Sequence, residues 1–268
     1  MSYKHKLPDD EVNVTKHSAL GDVTWMIGGL SAILMTLYFT LSALINYEVK
    51  MISIENEQKV FDYLNIAALF ENNDSNNSTN YQNLLTGVQK CSKTPYKLKL
   101  IIADDNVSNA FALPGGIIII NQGLINQAQS QNELFFVLSH EVGHIQNRDH
   151  IEALGRGLLS LSILAILGLN DSNALLEYSL NFSESRFSQE RESEADLYAV
   201  DMMACYYEHV QGATDFFKHD DHEESVNMLF STHPQMKERI KNIEHYIVEK
   251  SYPLRGLAPL IRNQPAME

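Results

Sequence analysis

Apolar and polar positions divide the chain into stretches of distinct period. Residues 23–47 (VTWMIGGLSAILMTLYFTLSALINY) run for 25 positions without a formal charge. At 1.5 Å per residue, about 20 of these cross a hydrocarbon core of roughly 30 Å. Trp25 and Tyr47 stand near the two ends, where amphipathic rings favour the interface. The stretch predicts one transmembrane helix; it is too long and starts too late for a cleaved signal peptide. Residues 49–70 read as a helix through Ile52, Val60, Tyr63, Leu64 and Ala67. The polar, Asn- and Ser-rich residues 71–83 read as a loop. Strands are expected at Tyr96–Ala103, at Ala110–Leu113 and, after a Pro114-Gly115-Gly116 turn, at Ile117–Ile120. Gln131–Asn147 has helical period through Leu134, Phe135, Leu138 and Val142. The apolar stretch Leu158–Leu169 is too short for a bilayer and reads as a core helix. Helices are also expected over 185–210 and 234–250, with an irregular surface tail from 251 to 268.

Composition narrows the classes. The 268 residues carry 20 Lys+Arg against 34 Asp+Glu, a formal charge of −14. That balance, with no basic stripe, argues against nucleic acid as a partner. With 44% apolar and 20% charged residues the chain is neither disordered nor fibrous. Two cysteines, Cys91 and Cys205, exclude a cysteine-ligated zinc ribbon and leave one disulfide open. The mean hydropathy of −0.20 averages a lipid-spanning segment with an acidic water-soluble part. The expected organisation is an N-terminal tail over 1–22, a transmembrane helix over 23–47 and one domain over 48–268. Lys4, Lys6 and Lys16 before the span outnumber Lys50 and Lys59 after it, which places the C-terminal part across the membrane from the cytoplasm.

The chemistry concentrates in His140-Glu141-Val142-Gly143-His144, an H-E-x-x-H pattern inside the expected helix 131–147. Spacing of four puts both imidazoles on one helical face, where they can chelate one ion, and Glu141 can reach a water on that ion as general base. Phe136, Val137 and Val142 make this helix apolar, and histidines in a core helix need partners that a metal supplies. A catalytic zinc takes a third protein ligand and keeps an open position. Glu190, Glu192 and Glu194 stand at alternate positions of the helix expected over 185–210, and spacing alone does not choose among them. Gly115-Gly116 permits a sharp turn, and Ile117–Ile120 is expected to form an exposed edge strand onto which an extended peptide adds.

Four segments together carry a resemblance. The HExxH pattern, Glu192-Ser193-Glu194-Ala195-Asp196 about fifty residues later, Asn109-Ala110-Phe111-Ala112-Leu113-Pro114-Gly115-Gly116, and Ser231-Thr232-His233-Pro234 follow the order seen in one group. The chain resembles the gluzincin zinc metallopeptidases of the HtpX, BepA, LoiP and Oma type, family forty-eight of the metallopeptidases. The resemblance covers residues 109–240. It implies an α+β zincin-like domain, mostly helical with a small sheet, holding one Zn2+ per chain on His140, His144 and Glu192. It also implies that Asp196 orients a ligand histidine, that His233 stabilises the oxyanion, and that Asn109, Ala110, Pro114, Gly115 and Gly116 line the substrate. A single span and a short C-terminal tail bring the chain nearest to the Oma-like architecture.

The expected function is hydrolysis of peptide bonds in unfolded or membrane-associated proteins, an envelope quality-control role. The expected location is a bacterial inner membrane, with the domain facing the periplasm. The rival is a catalytically silent, membrane-tethered zinc scaffold or chaperone, for which an intact Glu141 would serve no purpose.

Overall fold

The computed structural model describes residues 18–64, 78–155, 187–221 and 236–260. The chain separates into two compact units, 1–44 and 45–268. The first is built on helix α1 (Ala19–Met51), which continues into the second. Within α1, Leu20–Leu44 is long and apolar enough to cross a membrane. Among the described residues it is the one helix with that property.

The second unit begins with a break that the reading of 49–70 as one helix did not contain. α1 ends at Met51, and α2 (Ile54–Leu64) starts anew behind Ser53. The Ser53 hydroxyl accepts from Asn56 N–H at 3.3 Å, a serine cap that restarts the helix. Helix α3 (Ser78–Ser92) occupies the second half of the stretch read as a loop. Tyr81, Leu84, Leu85 and Val88 are all buried, at the i, i+3, i+4, i+7 spacing of one apolar face. Residues 158–169 and 261–268 lie outside the described residues.

Three strands follow: β1 (Lys99–Ala103), β2 (Ala110–Leu113) and β3 (Ile117–Asn121). Their order is β1-β3-β2, with β1 parallel to β3 and β2 antiparallel to it. The expectation of an exposed edge at Ile117–Ile120 is therefore corrected: β3 is the central strand and every residue in it is buried. Four consecutive isoleucines require cover on both faces. Ile118 and Ile120 join the main core, while Ile117 and Ile119 pack with Ile101, Leu113 and Ala153 on the other face.

A short α4 (Gln122–Gln127) leads into α5 (Gln131–Asn147), which has the bounds expected from its period. Ser130 caps α5 by accepting from Glu133 N–H, and Glu133 reaches back to Gln129 N–H at 2.9 Å. Arg148, with φ of 61°, ends the helix in the left-handed region, and residues 149–155 turn into a further helical stretch. α6 (Gln189–Tyr207) packs along α5, α3 and α7 (Met236–Lys250). Cys91, at the end of α3, is disulfide-bonded to Cys205, near the end of α6.

Candidate metal centre

Fourteen consecutive residues of α5, Asn132–Ile145, are buried, so the HExxH segment lies inside the protein. What brings α6 against it is Gly143. A Cβ on that glycine would stand 3.0 Å from Ala195 Cα, so the two helices meet backbone to backbone. That approach places Glu192, one turn before Ala195, opposite the two histidines.

The ligand atoms of His140, His144 and Glu192 all lie within 4.8 Å of one another, and all three residues are buried. The two Nε2 atoms are 3.1 Å apart, and each stands 3.5 Å from a Glu192 oxygen. Glu190 and Glu194, which spacing had left open, are both exposed; Glu194 accepts from Asn147 instead. Glu141 is 1% exposed on the same turn of α5.

The far nitrogen of each ring faces a carboxylate. His140 Nδ1 lies 2.9 Å from Asp196 Oδ1, and His144 Nδ1 lies 2.9 Å from Asp149 Oδ2. This fixes both tautomers with Nε2 turned to the shared centre. The donor set of two imidazoles and one carboxylate is the one a catalytic zinc takes, so these residues fit that ion.

Electrostatics separate the two rings. Burial pushes His140 down to about 4, against the pull of Asp196. Burial also works to lower His144, but Asp149 and then Glu192 hold it up at about 9.

Asp149 and Arg239 were not among the expected site residues. Arg239, from α7, grips both Asp196 oxygens at 2.7 and 2.6 Å and lies 3.1 Å from Glu192 Oε2. Its guanidinium overrides the effect of burial and holds the Asp196 carboxyl below the usual carboxylate range. Phe217 covers the guanidinium at 4.9 Å, and Phe187 stacks on His144 at 4.2 Å. Asp149 is itself held by Arg191 at 2.7 Å, and Arg191 also pairs with Glu152.

The residues expected to line the substrate sit on β2 and the turn after it. Asn109 and Ala110 are buried at the start of β2, with Asn109 C=O accepting from Asn121 N–H at 2.9 Å. Pro114 is buried, and Gly115 and Gly116 have φ of 87° and 86°, a conformation that favours glycine. Gly116 C=O accepts from Lys99 N–H, so this glycine joins the turn to β1. His233 lies outside the described residues.

Residues 75–247 match the family described as Peptidase family M48. The chain belongs to that family. Relatives include the mitochondrial metalloendopeptidase OMA1 of Schizosaccharomyces pombe, 32% identical over 57% of this chain and 48% of that protein. The metalloprotease LoiP of Escherichia coli is 31% identical over 56% of the chain and 62% of its own length. A putative beta-barrel assembly-enhancing protease of Vibrio cholerae is 28% identical over 62% and 37%. The chain thus spans between about a third and three fifths of these relatives.

Proposed function

We propose that this family member is a zinc-dependent endopeptidase anchored to a membrane by α1, acting on unfolded or membrane-associated proteins. One observation carries the reading: His140, His144 and Glu192 converge in a buried cluster with Glu141 on the same helical turn. When bound, zinc supplies Lewis acidity and an activated water. His140, His144 and Glu192 would hold it, and Asp196 and Asp149 keep the two rings turned toward it. Glu141 accepts the proton of the attacking water and returns it to the leaving amine. His233, by its place in the STHP element, serves the developing oxyanion. With β3 central, the extended substrate adds to β2, whose one strand partner among the described residues is β3.

The names of the relatives, all proteases, support the activity, and the apolar length of α1 supports the anchor. The Cys91–Cys205 bond supports a domain facing an oxidising compartment, consistent with a periplasmic location and an envelope quality-control role. The test uses the full chain in detergent with unfolded casein. Cleavage should stop on adding a chelator and should fall at least a hundredfold in Glu141→Gln, with zinc content unchanged. Undiminished cleavage by Glu141→Gln would sink the mechanism. A wild type that binds zinc yet cleaves nothing would favour the scaffold reading.

A further inference from the structure

Helix α2 lies outside the residues matched by the family, yet it touches both halves of the site. Glu57, 2% exposed, faces four donors from three other parts of the chain. They are Tyr96 Oη at 2.8 Å, Gly115 N–H at 2.9 Å, Arg148 Nη2 at 2.7 Å and His150 Nε2 at 3.1 Å. The next residue, Gln58, donates through Nε2 to Gly115 C=O at 2.9 Å and to Lys97 C=O at 3.1 Å. Both hydrogen-bonding groups of Gly115 are thus taken by consecutive residues of α2. Phe61 closes on the same glycine, 2.9 Å from where a Cβ would stand. Since Gly115 belongs to the turn after β2, α2 fixes the end of the strand on which substrate is proposed to add.

Two more of the donors, Arg148 and His150, belong to the segment directly after α5. Arg148 is its left-handed cap and also donates to Ile52 C=O at 2.7 Å; His150 is fully buried. Between them stands Asp149, the carboxylate that meets His144 Nδ1. Holding the residues on either side of Asp149 fixes the plane of the His144 ring. A buried carboxylate is costly unless every partner is in place, so a mere filler at position 57 would be better apolar.

We propose that Glu57 is a positioning residue for the peptidase reaction, tying the β2–β3 turn to the Arg148–His150 segment so that substrate strand and His144 keep one relation. This rests on the zinc-peptidase reading above. A structural staple would affect folding alone; a positioning residue also changes zinc affinity and KM.

The experiment uses the full chain in detergent. Zinc affinity is read by competition with a chromophoric chelator, kcat and KM on a fluorogenic casein-derived peptide, and folding by thermal unfolding. Glu57→Gln should weaken zinc about tenfold and raise KM severalfold. Two further variants separate the arms if Glu57→Gln does not fold. Arg148→Gln should weaken zinc about tenfold at unchanged KM. Gln58→Ala should raise KM severalfold with zinc affinity unchanged. Folded variants that melt earlier but keep wild-type zinc affinity and KM would overturn the proposal. A wild type without zinc binding or cleavage would fail one stage earlier, sinking the peptidase reading and this proposal with it.

Discussion

The His140 and His144 rings each have one nitrogen turned to the other ring and the second against a carboxylate, so removing either carboxylate's charge frees a ring to turn. Asp149→Asn and Asp196→Asn should each lower zinc affinity by about ten- to hundredfold, measured by chelator competition. Asp196→Asn should also loosen Arg239, which holds both of its oxygens. Glu57 adds a pH dependence of a different origin. Burial works to raise its carboxyl, but hydrogen bonds from His150, Gly115 and Tyr96 hold it at about 2, below the ordinary 4.5. A carboxyl lowered by folding contributes stability above about 4.5 and loses it as pH falls toward 2. Urea unfolding between pH 5 and 2.5 should therefore show a steeper loss for wild type than for Glu57→Gln. At this scale His140, Glu141 and His144 were legible because one helical turn spaces them. Asp149 was hidden because the chain leaves the helix at Arg148, whose left-handed turn no periodicity announces. Arg239 stands 43 residues beyond Asp196, and only the packing of α7 brings the two together.

Between elements, the α5–α6 contact decides whether Glu192 reaches His140 and His144. Gly143→Ala puts a methyl group 3.0 Å from Ala195 Cα, so one helix must yield by a few tenths of an ångström. The substitution favours helix by up to about 1 kcal/mol, so thermal stability should change little while zinc affinity falls. A rise in zinc affinity would show that the close approach is unnecessary. Ser130→Ala should cost about 1 kcal/mol in urea unfolding by uncapping α5. The bounds of α5 were readable because its cap and period agree. α3 was missed altogether because Asn and Ser dominate its start, although the spacing of Tyr81, Leu84, Leu85 and Val88 already marked an apolar face. The central place of β3 was likewise encoded in its unbroken isoleucines, which an edge strand with one wet face does not need.

Across the whole molecule, one covalent tie joins helices far apart in sequence. Cys91 and Cys205 are separated by 114 residues, and the bond between them limits the unfolded chain. The double variant Cys91→Ser, Cys205→Ser should unfold about 2–4 kcal/mol more easily, and reductant should destabilise wild type by a similar amount. The charge-free stretch in α1 was legible from composition, whereas the pairing of two cysteines was not, because it depends on how α3 and α6 pack. Between the two cysteines, His140 and His144 lie in the half nearer Cys91 and Glu192 in the half nearer Cys205. Any single cut between residues 145 and 191 therefore separates the histidines from the glutamate along the backbone while leaving their two pieces covalently linked. A chain nicked there would migrate as one species without reductant and as two with it. His140, His144 and Glu192 would stay on one molecule throughout.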